Sequence, residues 1–316
     1  MKDKITVGLA QISPIWLNRE ATSAKIAKYI DEASETGCDI VVFGESLLPG
    51  YPFWIENTGG AKFNSDIQKD IFSYYLANGV DIEAGHMKEI CSSCKKNGIT
   101  AVVGIAERAP DRGGHTIYCS LVYIDSSGAV KNVHRKVMPT YEERLVWGQG
   151  DGHGLRVNSL HNFTVGALNC WENWLPLVRS SLYSLGEDLH IAIWPGSARH
   201  TRDISRFIAL ESRSFVVSVS GLMSRSDIPA DVPSYDVIFS NSPDIMADGG
   251  SCVVAPDGSW ILDPVVNKQG LSVVTLDYNL VRRERQNLDN SGHYSRPDIT
   301  NLIIDRTRQS IIKLID

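Results

Sequence analysis

No stretch of this 316-residue chain approaches the ~18 consecutive apolar residues that a membrane-spanning helix needs. No basic cluster offsets a net charge of -6, which argues against a nucleic-acid or anionic-membrane partner. The nearest candidate, Arg282-Arg283-Glu284-Arg285, is interrupted by an acid and reads as a solvated helix face or subunit contact. There is no Pro/Gly/Ser-rich linker, low-complexity tract or 20–50-residue repeat, so nothing divides the chain into domains. The metalloprotease His-Glu-x-x-His, the phosphate loop Gly-x-x-x-x-Gly-Lys-Ser/Thr and the Gly-x-Ser-x-Gly elbow are all missing. No metal or cofactor is therefore expected. The glycines of Gly148-Gln149-Gly150-Asp151-Gly152-His153-Gly154 miss the dinucleotide spacing and read as a flexible turn.

Cysteine is sparse and scattered: Cys38, Cys91, Cys94, Cys119, Cys170 and Cys252, mostly in apolar settings. Cys91-Ser92-Ser93-Cys94 has metal or redox spacing, yet no second pair accompanies it. In an expected helix over 84–96, that spacing merely puts both thiols on one face. Lys2 and Lys4 precede the apolar run 5–10, but the run is short and no small-residue cleavage site follows. It reads as a first strand, and the protein is expected in the cytoplasm, where disulfides are not expected. A hydrophobic content of 43% allows a substantial core.

What the chain does have is a cysteine at a strand end. The apolar run 163–168 leads to Asn169-Cys170-Trp171-Glu172-Asn173. Beyond it, Trp174, Leu177, Val178, Leu182 and Leu185 recur near helical spacing from 171 to 185, ahead of Gly186. A thiol on the rim of a sheet can be a nucleophile, provided that something nearby takes its proton. Candidates stand at equivalent places. Strand 39–43 runs into Gly44-Glu45, and a hairpin over roughly 117–137 ends at His134-Arg135-Lys136. Such rims are where α/β proteins build sites. Taken singly, Cys170 could be a buried thiol, Glu45 a helix cap and Lys136 a surface charge.

The neighbouring words join them. Gly44-Glu45 followed by Pro49-Gly50-Tyr51-Pro52, then His134-Arg135-Lys136, then Cys170-Trp171-Glu172-Asn173, resemble the three motifs of the nitrilase superfamily of carbon-nitrogen hydrolases. Blocks at 139–144, 147–152, 193–196, 249–251 and 292–297 resemble the nitrilase branch itself, in order along the chain. The resemblance implies a single four-layer αββα sandwich over residues 1–298. A short tail, 299–316, is implied to make oligomer contacts, in a homo-oligomer built on a dimer.

It further implies that Cys170 attacks, Glu45 takes the proton and Lys136 neutralises the developing charge, with Glu143 positioning substrate or Lys136. A free thiol has a pKa near ~8.5 and a free glutamate one near ~4.3, so burial is expected to raise Glu45 into a useful range. The substrate would be a small organic nitrile, converted through thioimidate and thioester to the acid and ammonia. An amidase, carbamoylase or cyanide-hydrolysing enzyme on the same fold is the alternative; a silent assembly protein is another. Tyr51, Trp54 and Trp171 are candidate pocket walls, with core packing as the competing account. Glu172 is a candidate for orienting the nucleophile loop, and His293 a candidate support.

Alternating strands and helices are expected throughout: a helix over 19–35 with Ala24, Ala27, Ile30 and Ala33 on one face, helices within 64–97 and a strand over 100–106. Then come a strand over 190–194, a helix over 201–212, and strands over 214–220, 251–255 and 272–277. A hairpin joins 253–254 to 260–262.

Overall fold

The computed structural model describes residues 2–312 and residue 315. The first sheet contains β1 (Lys4–Gln11), β2 (Ile40–Phe43), β3 (Thr100–Arg108), β4 (Ile117–Ile124) and β5 (Val130–Arg135). The second contains β6 (Asn158–Leu160), β7 (Phe163–Asn169), β8 (Leu189–Trp194), β9 (Phe215–Ser220), β10 (Leu222–Ser224), β11 (Ile245–Val254) and β12 (Trp260–Val266). The chain then returns, and β13 (Gly270–Asp277) pairs antiparallel with β1 to close the edge of the first sheet. Strands β1, β2 and β3 run parallel, as do β7, β8 and β9.

Alternation along each strand builds the layers. Leu189, Ile191 and Ile193 of β8 face the first sheet, meeting Val7, Leu9, Ile40 and Val42 in the core between the sheets. The intervening Ala192 and Trp194 face outward onto Ile204 and Ile208 of a helix. The outer face of the first sheet packs Val41, Phe43 and Val103 against Ile26, Ile30 and Ile90. A strand covered on both sides reads as a continuous apolar run. The result is the expected αββα sandwich, with α1 (Arg19–Glu35) and α4 (Lys88–Asn97) outside one sheet. Outside the other lie α5 (Pro176–Tyr183) and α6 (Ala198–Ser212). The remaining helices are α2 (Trp54–Asn57), α3 (Asp66–Asn78), α7 (Tyr235–Asn241) and α8 (Asn279–Arg285). None of the described helices is long and apolar enough to cross a membrane.

Two expectations need correction. Helix α1 has the expected bounds, but it buries Thr22, Ser23, Ile26, Ile30 and Ala33, and Ala24 is exposed. The large isoleucines, not the small alanines, fix which stripe faces the sheet, because burial scales with apolar area. The single helix expected over 171–185 is two pieces. A 3₁₀ turn spans Cys170–Trp174, Leu175 is extended, and α5 starts at Pro176. Proline disfavours helical backbone in the residue before it and suits the first helical position itself. The break leaves Trp174 47% and Leu177 71% exposed, so they do not join the core.

One glycine lets the Glu45 segment lie directly on the sheet. A Cβ at Gly104, in β3, would stand 2.3 Å from Gly44 O, 2.6 Å from Ser46 N and 2.7 Å from Glu45 Cα. All three are backbone atoms, so the loop itself would have to move. Gly104→Ala is therefore expected to cost about 1–3 kcal/mol, as overpacking does, and to reduce activity beyond the loss of folded protein. Urea unfolding, with specific activity on the folded fraction, measures both.

Candidate active site

Glu45, Lys136 and Cys170, the candidate reactive groups, are each delivered by the end of a strand. Glu45 lies two residues past β2, and its N–H donates to Trp194 O across the gap between the sheets at 3.1 Å. Lys136 follows β5, pinned by Lys136 N to Cys119 O and Gly150 N to Lys136 O, both 2.8 Å. The glycine loop expected to be a flexible turn is thus packed against the lysine backbone. Cys170 follows β7 with φ +42, the left-handed region, which costs a non-glycine residue about 1–2 kcal/mol. Strain of this kind concentrates at functional sites.

The structure brings all four predicted catalytic side chains together, each buried. The Lys136 ammonium donates to Glu45 Oε1 at 2.8 Å and to Glu143 Oε2 at 2.7 Å. Glu143 is fixed in turn, accepting from Thr140 N at 2.6 Å and from the Tyr51 hydroxyl at 2.9 Å. The acid atoms of Glu45, Glu143 and Cys170 all lie within 4.8 Å of one another. Two carboxylates and a thiol could in principle hold a metal ion, but the Lys136 ammonium already supplies the positive charge that such a cluster needs.

The electrostatics divide the roles. Burial pushes the Glu45 carboxyl up to about 7; Lys136 opposes that shift and the Glu143 charge reinforces it. Burial works against the Lys136 ammonium, yet Glu45 and Glu143 outweigh it and hold the amine well above its ordinary pKa. Burial, with the charge of Glu45 beside it, likewise keeps Cys170 a neutral thiol at rest. Glu45 Oε2 has no hydrogen-bond partner among the described residues, and a carboxylate oxygen of Glu45 lies within 4.8 Å of the sulfur. A base poised near neutral pH beside a thiol can remove its proton as attack begins. The backbone N–H of Trp171 works against the upward shift of the thiol and favours the thiolate.

Glu172, singled out for the loop after the nucleophile, is fully buried and accepts from Asn169 N at 3.0 Å and Val137 N at 2.5 Å. His134 Nε2 lies 3.1 Å from both of its oxygens. Glu172 therefore ties the β7 end that carries Cys170 to the β5 end that carries Lys136. Burial alone would raise its carboxyl; His134 and the two N–H donors outweigh burial and lower it.

A cavity of about 680 Å³ opens onto Cys170, lined by Tyr51 and Trp171 as expected. One candidate wall, Trp54, is not there, and the candidate support His293 stands apart from the cavity. Trp54 is buried at 1% exposure against Trp16 and Tyr75, so core packing is the correct account. Its neighbour Phe53 lines the cavity instead. His293 is exposed, lies edge-on to Tyr294 and lines no part of the cavity. Its segment is tied to the end of α5 through Ser291 Oγ and Tyr183 O.

Sequence reasoning also missed contributors. Cys119 Sγ donates to Glu45 Oε1 at 3.3 Å, although its position in β4 gave only an apolar signal. Arg199, His200, Ile245 and Met246 are among the further wall residues. The block at 193–196, at the end of the strand beside β7, was the signal that could have found the first two.

The carbon-nitrogen hydrolase family model matches residues 6–286. The chain belongs to this family. A prokaryotic protein named Nitrilase 2 is 33% identical over 97% of this chain and 94% of its own length. An arylacetonitrilase of Aspergillus niger is 33% identical over 96% of this chain and 89% of its own. Nitrilase 2 of Arabidopsis thaliana is 33% identical over 94% and 87%. Among solved structures, an amidase from Nesterenkonia sp. shares the fold with a TM-score of 0.64, at 18% identity over 91% of this chain and 96% of that one. The nitrilase-branch resemblance is thus borne out by relatives along nearly the whole sequence.

A carboxylate can take a proton only when ionised, so with Glu45 as the base kcat/KM of this hydrolase is expected to rise with pH through about 7. Glu143→Gln removes a charge that raises Glu45, so the acid limb moves to lower pH. The plateau falls by ~10²-fold as Lys136 loses its orientation. A pH–rate profile of both proteins checks the two effects together.

Proposed function

We propose that this enzyme hydrolyses an organic nitrile to the carboxylic acid and ammonia. The observation that carries the reading is Lys136 held between Glu45 and Glu143, with the Cys170 sulfur within 4.8 Å of a carboxylate oxygen of each. Its relatives at 33% identity bear nitrilase names.

As Cys170 Sγ adds to the nitrile carbon, Glu45 takes the thiol proton and one C–N bond of the triple bond opens. Lys136 neutralises charge building on nitrogen, and proton return gives a thioimidate. Water, deprotonated by Glu45, adds to that carbon. The C–N bond of the adduct breaks, ammonia leaves with a proton returned through Glu45, and a thioester remains. A second water releases the acid and restores the thiol. Removing one electrostatic stabiliser of this kind typically costs about 10²–10³ in rate. Glu143 positions Lys136, and Glu172 orients the nucleophile loop.

Phe53, Trp171, Ile245 and Met246 give the cavity an apolar wall, which supports an aliphatic or arylaliphatic nitrile. The exposed Trp174 of the 3₁₀ turn, Leu177 of α5, and Phe207 and Leu210 of α6 support a homo-oligomer built on a dimer, because burying large exposed apolar side chains against a second copy is favourable. The segment from 299 onward is proposed as an accessory contact; within its own chain it is anchored by Arg308 on Asp151. Six unpaired thiols support a reducing, cytoplasmic setting.

Ammonia release from an aliphatic nitrile, an arylacetonitrile, an aromatic nitrile, cyanide and the matching amides tests the reaction. Nitrile turnover that Cys170→Ala abolishes is expected; turnover of amides alone would sink the proposal. Light scattering of Leu177→Asp/Phe207→Asp tests the interface, with a smaller particle than wild type expected.

A further inference from the structure

The sulfur of Cys170 meets Glu45, but its carbonyl meets a different set of buried groups. Asn173 Nδ2 donates to Cys170 O at 2.7 Å. A carbonyl oxygen can only accept, so the amide orientation is fixed and Asn173 presents Oδ1 on its other side. There His190 Nε2 lies at 2.7 Å and must be the donor. The second ring nitrogen, Nδ1, lies 3.0 Å from both oxygens of Glu187. With Nε2 protonated, one further proton must sit on the line between Nδ1 and Glu187, on the imidazole or on the carboxyl. Asn173, His190 and Glu187 are all 0% exposed.

The surroundings make room for this chain of bonds. A Cβ on Gly166, in β7, would stand 1.8 Å from Glu187 Oε1, so only glycine there leaves the carboxyl its place. Arg179 Nη1 holds Asn173 O at 2.8 Å, and Arg285 donates to Glu187 O. Nothing in the reaction proposed above uses these residues, and water does not reach them. Among the described residues, their side-chain hydrogen bond toward the chemistry is the one to the carbonyl of the residue held at φ +42.

We infer that Asn173, His190 and Glu187 form a positioning relay that holds Cys170 in its left-handed conformation, and so aims the sulfur at the substrate carbon. The inference rests on reading Cys170 as the nucleophile. It differs from a catalytic triad because the histidine acts on the nucleophile's backbone and never touches its sulfur. A misaimed nucleophile leaves the cavity walls intact, so turnover falls while substrate binding does not. Misplacement by about 1 Å can cost ~10²-fold.

The test is Asn173→Asp, which replaces the donor facing Cys170 O by an oxygen, beside the pair His190→Ala and His190→Gln. Glutamine carries an amide N–H near the place of Nε2–H, whereas alanine leaves Asn173 unguided. Three readouts are taken on folded protein: kcat and KM with the best nitrile, and the iodoacetamide labelling rate of the Cys170 peptide by mass spectrometry. Labelling needs no nitrile, so a failed relay and a failed nitrilase reading give different results. Asn173→Asp is expected to lose about 10²-fold in kcat with KM within about twofold, and to slow labelling in parallel. His190→Gln is expected to recover at least roughly tenfold of the kcat that His190→Ala loses. Wild-type kcat and labelling in Asn173→Asp, or activity lost only in proportion to folded protein, overturns the relay. Should Asn173→Asp not fold, equal kcat in His190→Ala and His190→Gln overturns it by itself.

Discussion

A lysine ammonium held between two carboxylates, away from water, is the interaction on which the rest of the site depends. A buried amine alone would shed its proton, and two buried carboxylates alone would not both ionise. Together, with both carboxylates ionised, they carry one net negative charge; burial, reinforced by the Glu143 charge and opposed by Lys136, brings Glu45 up to about 7. Isolated buried charges are strongly destabilising when one partner is removed, so the arrangement is supported on every side. Tyr51 and Thr140 hold Glu143, Cys119 donates to Glu45, and the backbone of Lys136 is stitched to its neighbours.

The reacting groups come from three loops on two sheets, so the loops must be tied to one another as well as to their strands. Glu172 does this for two of them, its oxygens receiving N–H groups from the β5 and β7 ends together. The Glu45 N–H on Trp194 O does it for the third. Each of these bonds involves backbone, which leaves the loops little freedom to drift.

Much of this was legible because strand ends are written in the sequence. Strands stop at Phe43, Arg135 and Asn169, and the next one or two residues are the candidate reactive ones. What was not legible depends on phase and on long-range pairing. Phe53 and Trp54 are adjacent and chemically alike, yet one lines the cavity and the other enters the core; a one-turn helix sets that choice. His190 sits in a strand that reads as apolar throughout, and its partners are Asn173 and Glu187. His293 was placed by motif alone, and nothing local in its sequence said that its segment would pack elsewhere. The proline at 176 was visible, but the apolar spacing beyond it looked continuous enough to mask the break.

Glu45 belongs to one sheet and Cys170 to the other, and the apolar layer between the sheets is therefore also a spacer. Its thickness is fixed by side chains such as Val42, Leu9, Ile191 and Val165, none of which touches the cavity. Interiors are packed as densely as organic crystals and transmit small changes in volume. The base-to-sulfur gap is thus a dimension of the core, and sequence drift deep in the sandwich would be felt as a change in reactivity before it was felt as a loss of fold.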